Sequence, residues 1–214
     1  MRPVKDGYTP PVRPPFTPEA TIGPFYPGAF VADMPQDLWT VAPLVAHHPQ
    51  GRPIVFTARF SDGPGRPVPS LIVEFWQANA HGRYRHPNDR SNAPLDPQFD
   101  GFARLRTADD GTLRFSTIRP GAHPVGAGLI RAPHLRLTVF ASGIDRLTTQ
   151  VFFDDEALNA SDPVLNSIAD PHIRARLVAT RRTPVTEPGA AIEYALDVVL
   201  RGDAETPFFD DWLP

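Results

Sequence analysis

The chain has 214 residues, 41% of them hydrophobic, and a formal net charge of −3. That is enough for one large β domain or two small ones with a sizeable core, and an acidic balance without a Lys/Arg run argues against nucleic acid as a partner. The absence of cysteine excludes disulfides, thiolate metal sites and a cysteine nucleophile, and no apolar run approaches the roughly 20 residues that span a bilayer.

Proline supplies 27 of the 214 residues, more than twice the roughly 5% average. Spread as it is, it punctuates short strands and loops and argues against a helical bundle. The first residues carry Pro3, Pro10, Pro11, Pro14 and Pro15 in place of a signal peptide's apolar core. A cytoplasmic protein is the expectation.

Residues 1–50 read as an extended arm, since Thr17 to Pro27 holds three prolines in eleven positions. Phe16, Ile22, Phe25, Tyr26, Phe30, Leu38 and Trp39 are too much apolar surface for a solvated linker. The arm is therefore expected to pack on its own domain or on a partner. Residues 51–214 read as a single β-sandwich. Ile54, Phe56, Ala58 and Phe60 alternate with Val55, Thr57 and Arg59, the period of a strand. Leu71 to Trp76 is apolar on both faces except Glu74 and reads as a central strand, with Trp76 in the core. His81 and His86 flank a turn and read as polar loop residues. Asp110-Gly111 is a hairpin signal between Phe102–Thr107 and Leu113–Thr117. Further strands are expected at His134–Phe140, Leu147–Phe153 and Ile192–Leu200.

The one helical insert is placed at about 154–182. Asp162-Pro163 and Asp170-Pro171 each set an N-cap residue before a first-turn proline, and Arg181-Arg182 would stand at a helix end. In the tail, Phe208, Phe209 and Trp212 would expose three rings if free, so docking on a neighbouring surface is expected. No G-x-S-x-G, Walker or G-x-G-x-x-G element is present.

His134 and Arg136 are two residues apart on an expected strand, so they share a face. A pair of histidines there would grip a metal ion. A guanidinium has no lone pair to give and repels a cation.

The run Leu71 to His86, with V-E-F-W-Q-A at Val73–Ala78 and G-R-Y-R-H at Gly82–His86, resembles the intradiol ring-cleaving dioxygenases. The likeness continues through Ala93–Phe99, Gly101–Arg104 and Thr117–Gly121. Thr21–Phe25, Phe152–Glu156 and Pro163–Asn166 extend it over most of the chain. The resemblance implies a transthyretin-like sandwich and a ferric ion held by two tyrosines and two histidines. Here the corresponding positions are Ser91, His123, His134 and Arg136, so one of four keeps its family residue. This pattern fits the non-iron α chain of the heteromeric members that cleave 3,4-dihydroxybenzoate with O2. It implies no catalytic residue and no metal in this chain, Fe(III) in a homologous β chain, and a contribution of Thr21, Ile22, Gly23, Pro24 and Phe25 to that partner's substrate pocket. Family α chains often carry an arginine where Ser142 stands, and Arg146 is the nearest substitute.

Two other readings stay open. The chain would be a stand-alone transthyretin-like binding or structural module, or an iron enzyme with unusual ligands. His123 and His134 would also suit a weakly held divalent ion.

Overall fold

The computed structural model describes residues 49–126, 128–141, 144–182 and 190–209. They form ten strands: β1 Pro53–Ser61, β2 Ile72–Trp76, β3 Phe102–Arg106, β4 Thr112–Ile118, β5 His123–Gly126, β6 Leu129–Arg131, β7 Leu135–Ala141, β8 Ile144–Phe153, β9 Val178–Arg181 and β10 Ile192–Val199. Eight follow the order β3-β2-β7-β8-β9-β10-β1-β4, and β5 and β6 make a separate two-stranded ribbon. The halves β3-β2-β7-β8 and β9-β10-β1-β4 join through a short parallel contact, Phe152 opposite Val178 and Phe153 opposite Ala179. The result is an all-β, nearly closed sandwich, as expected.

The core lies between the two halves because each strand has one apolar face. β1 contributes Ile54, Phe56, Ala58 and Phe60, and β2 contributes Val73 and Phe75, all buried. Parallel pairing sets Ile54, Phe56, Ala58 and Phe60 opposite Ile192, Tyr194, Leu196 and Val198, so both alternating patterns enter the core in one register. Phe75 meets Phe115 at 4.4 Å between ring centroids, closing the space between the halves.

Two expectations are corrected. The Asp110-Gly111 turn forms, with the Gly111 N–H donating to Ala108 at 2.9 Å and the Ala108 N–H donating to Thr112 at 2.8 Å. It does not close a hairpin: β3 pairs with β2 and β4 with β1, at opposite ends of the strand order. The Phe60 N–H donates to the Gly111 carbonyl at 2.9 Å, which ties the turn to β1 as the chain crosses between halves. A turn dipeptide fixes a local reversal. Burial of the flanking strands decides what each pairs with.

The helical insert is also shorter than 154–182. It consists of 3-10 turns at Ala157–Ala160 and Leu165–Ser167 and one short helix, α1, Pro171–Ala175. Asp170 caps α1 as expected, accepting from the His172 N–H at 2.8 Å. The chain then buries Leu177 and enters β9, where Arg181 pairs with Tyr194. Arg181 thus ends a strand rather than a helix, because pairing with β10 outcompetes a helix of little more than one turn.

Pro207–Phe209 dock as expected. The Phe209 N–H donates to the Thr148 carbonyl at 2.8 Å, and the Thr149 hydroxyl donates to the Pro207 carbonyl at 2.7 Å. Residues 1–48 of the arm, with Thr21–Phe25, and the tail beyond Phe209 lie outside the described residues, as does Ser142. No helix among the described residues is long and apolar enough to cross a membrane.

Candidate functional site

Strand register builds the site. Trp76 on β2 pairs with Arg136 on β7, and Arg136 pairs with Gln150 on β8. Directly opposed residues share a face, so these three side chains form one rung. His134 precedes Arg136 by two residues and joins that face. The ribbon closes the site from above, with His123 opening β5 opposite Arg131 ending β6. Tyr84, from the loop after β2, completes a cavity of about 130 Å³ lined by Trp76, Tyr84, His123, Arg131, His134, Arg136 and Gln150. A wider vestibule shares Trp76, Tyr84, His123 and Arg136 and adds Asp89, Arg90 and Ser91.

The cavity therefore brings His123, His134 and Arg136 together, while Ser91 lies in the vestibule. In the vestibule, the Ser91 N–H donates to Asp89 at 2.8 Å and the Tyr84 N–H to the other Asp89 oxygen at 2.7 Å. Burial alone would raise the Asp89 carboxyl, but these bonds and the nearby Arg83 charge hold it below the usual range.

Arg131 is 2% exposed and forms an ion pair with Asp162, which is fully buried; Arg131 Nε donates to Asp162 Oδ2 at 2.9 Å. A second Arg131 nitrogen donates to Gln150 Oε1. Asp162 Oδ2 also accepts from the Ala132 N–H at 2.8 Å, and Oδ1 from the N–H groups of Val164 and Leu165 at 2.9 and 2.8 Å. The expected capping by Asp162 is thus present, and the same carboxylate holds a cation in the cavity wall.

His134 has one allowed tautomer. Its Nδ1 lies 2.7 Å from the Ala132 carbonyl, which can only accept, so the proton sits on Nδ1. The lone pair on Nε2 faces the Tyr84 hydroxyl across a long 3.4 Å contact. Burial, followed by the Arg131 charge, pushes the His134 imidazole down to about 3. The same two causes lower His123. Burial pushes the Tyr84 phenol up to about 12. At neutral pH the cavity holds two uncharged imidazoles, an un-ionised phenol and two guanidiniums.

This donor set does not fit ferric iron. Fe(III) favours hard anionic oxygens, whereas the one phenol here resists ionisation and two fixed cations face the same space. No step of oxygen chemistry is assigned to this cavity.

Sequence reasoning did not single out Arg131 or Gln150, read Asp162 only as a helix cap, and met Tyr84 only inside the G-R-Y-R-H element. It also put Trp76 in the core. Trp76 is only half-buried and stands edge-on to Tyr84 at 5.0 Å and to exposed His86 at 5.5 Å. The signal was the alternation itself: Val73 and Phe75 point inward, so Trp76 shares the opposite face with Glu74.

A family model described as Dioxygenase matches residues 22–202. The chain belongs to the intradiol ring-cleavage dioxygenase family. It is similar to a protocatechuate 3,4-dioxygenase α chain of Pseudomonas putida, at 34% identity over 205 residues, covering 92% of this chain and 96% of that one. It is also similar to a protocatechuate 3,4-dioxygenase β chain of Burkholderia cepacia, at 42% identity over 162 residues, covering 74% of this chain and 68% of that one. Among solved structures, the dioxygenase domain of a carbohydrate-binding fusion from Streptomyces sp. SirexAA-E superposes with a TM-score of 0.56 at 25% identity, covering 86% of this chain and 97% of that domain. The α-chain likeness runs nearly end to end, while the β-chain likeness is higher but shorter.

Proposed function

We propose that this chain is the non-iron α subunit of a protocatechuate 3,4-dioxygenase. The assembly opens 3,4-dihydroxybenzoate between its hydroxyl-bearing carbons, both atoms of O2 entering the product 3-carboxy-cis,cis-muconate. A homologous β chain holds the Fe(III). The observation that carries this reading is the cavity wall: Arg131 and Arg136 stand beside His123 and His134, and Ser91 stands aside in the vestibule. The end-to-end likeness to α chains supports it. In this reading residues 1–50 form an arm, and Thr21–Phe25 line the mouth of the partner's site. Gly23 lets backbone approach substrate closely there, and Pro24 stiffens the loop. The protein works in the cytoplasm on a soluble aromatic acid. With Ser142 in place of an arginine, substrate attraction falls to Arg146 or to the β chain.

The 42% identity to a β chain favours a second reading, a self-sufficient iron enzyme. One experiment separates the two. The full chain is expressed alone and together with a homologous β chain that carries an intact Tyr/Tyr/His/His set. The expected result is a stable complex, iron in proportion to the β chain, and muconate formation only by the complex. Stoichiometric iron and oxygen uptake by the lone chain would overturn the proposal.

A further inference from the structure

We infer that the exposed apolar side of the β5–β6 ribbon is a docking surface for residues 38–45 of the same chain. Both surfaces belong to this chain, so the subunit reading is not required.

The exposed apolar surface is concentrated in one place. Among the described residues, the exposed large hydrophobics are Leu95, Val125, Leu129, Ile130 and Ile173. Three of these stand on the ribbon, where Leu129 and Ile130 are each 47% exposed. Arg131 lines the cavity, so Ile130, its neighbour on the strand, points away from it. Leu95 belongs to the same neighbourhood through Asn79. The Asn79 side-chain N–H donates to the Pro94 carbonyl at 2.9 Å, and the Asn79 carbonyl accepts from the Gly121 N–H at 2.8 Å, just before the ribbon begins. Clustered apolar exposure marks an interaction surface.

The arm joins the domain at that loop. The Gln50 N–H donates to Asp96 Oδ2 at 2.7 Å, next to Leu95, and Gln50 Oε1 lies 2.8 Å from His81 Nε2. A β-carbon on Gly51 would stand 2.9 Å from that of Ala80, and one on Gly82 would stand 2.0 Å from the Ala122 carbonyl oxygen. The root of the arm, the loop after β2 and the base of the ribbon are therefore packed together. β5 has four residues, roughly 13 Å of strand. Val45 precedes Gln50 by five residues, a reach of roughly 17 Å, so the ribbon lies within range.

The arriving segment has matching chemistry. Residues 38–45 supply Leu38, Trp39, Val41, Leu44 and Val45 and contain no charged side chain. On so short a tether they are presented at an effective concentration of roughly millimolar order, far above that of a second copy in dilute solution. Phe16, Phe25 and Phe30 stand twenty or more residues before Gln50 and would have to close a longer loop.

The chain has no cysteine, so introduced pairs report proximity without background. Val41→Cys or Leu44→Cys is combined with Ile130→Cys in the full chain. The reference partner is Arg114→Cys, an exposed position four residues along β4 from Ile118, which itself packs against Gly51. Under mild oxidation, mass spectrometry is expected to show a disulfide within one chain, forming roughly ten-fold or more faster at Ile130→Cys than at Arg114→Cys. Amide exchange in residues 123–131 is expected to quicken roughly ten-fold in the double variant Val41→Ser with Leu44→Ser, with β1 and β10 unchanged. That second readout stands even if the paired variants do not fold. Equal rates at the two positions would overturn the inference, as would disulfides between two chains or exchange indifferent to the serine substitutions. Ribbon protection that appears only with a homologous β chain present would assign the surface to that partner instead.

Discussion

Asp162→Ala is the most informative perturbation of this fold. The side chain is fully buried, forms an ion pair with Arg131 at 2.9 Å, and accepts from three backbone N–H groups. Removing one partner of a buried pair costs about 3–5 kcal/mol, because the other charge is left without compensation. Each stranded backbone donor adds about 1–3 kcal/mol unless water or local relaxation reaches it. Some relaxation at the 3-10 turn is unavoidable, so a loss of about 5 kcal/mol is expected. In a chain of this size each kcal/mol lowers Tm by roughly 2–4 °C, which gives a drop of about 10–20 °C. Asp162→Asn keeps an acceptor oxygen and should fall between the two. The double variant Arg131→Met with Asp162→Ala removes the buried cation as well, and should recover about 2 kcal/mol or more relative to Asp162→Ala. Urea unfolding followed by circular dichroism reads these differences at constant m-value. An Asp162→Ala cost under about 1 kcal/mol, or a double variant no more stable than the single, would refute the reasoning.

Three further outcomes are expected. The His134 imidazole, pushed down to about 3 from an ordinary 6.5, is depressed in the folded state. It therefore contributes stability that is present above about pH 6.5 and lost as pH falls toward 3. Urea midpoints of the wild type should decline through that window more steeply than those of His134→Asn, and equal slopes would count against a buried neutral ring. Gly82 has φ +76°, and a β-carbon there would stand 2.0 Å from the Ala122 carbonyl oxygen, so Gly82→Ala should cost at least about 2 kcal/mol by urea unfolding. By contrast, Arg114→Ala, which breaks an exposed pair with Glu193 at 2.9 Å, should leave the urea midpoint nearly unchanged.

Local patterns were legible where one element settled its own fate. The alternation in Ile54–Phe60 and Ile192–Leu200 named both core faces of β1 and β10, since a period of two leaves one way to bury an apolar set. The shared face of His134 and Arg136 followed from the same rule. What escaped depended on pairing between distant segments. Asp110-Gly111 read as a hairpin because a turn looks alike whether its strands pair or part. The ribbon strands β5 and β6 are four and three residues long, too short for periodicity to show. Arg131 and Asp162 are 31 residues apart in sequence, and no local signal joins them. Trp76 was misplaced for another reason: a tryptophan on an apolar strand usually is core, and that expectation overrode the alternation that sets Trp76 on the face of Glu74.

The two cations of the cavity are held in different ways, and that bears on which can change. Arg131 is fixed by the carboxylate that also caps the turn at Val164 and Leu165. Its charge is therefore tied to the fold around residues 162–165, and losing either partner costs stability before it alters any ligand. Arg136 projects from a strand whose backbone ladder to Trp76 and Gln150 does not depend on its side chain. Substitution there changes the charge facing the cavity and leaves the register intact. Arg136→Glu should therefore fold with its β2-β7-β8 pairing retained, as amide exchange protection of Leu135 and Leu137 would read. Loss of protection along β7 in that variant would mean that the side chain, rather than the ladder, holds the wall of this site.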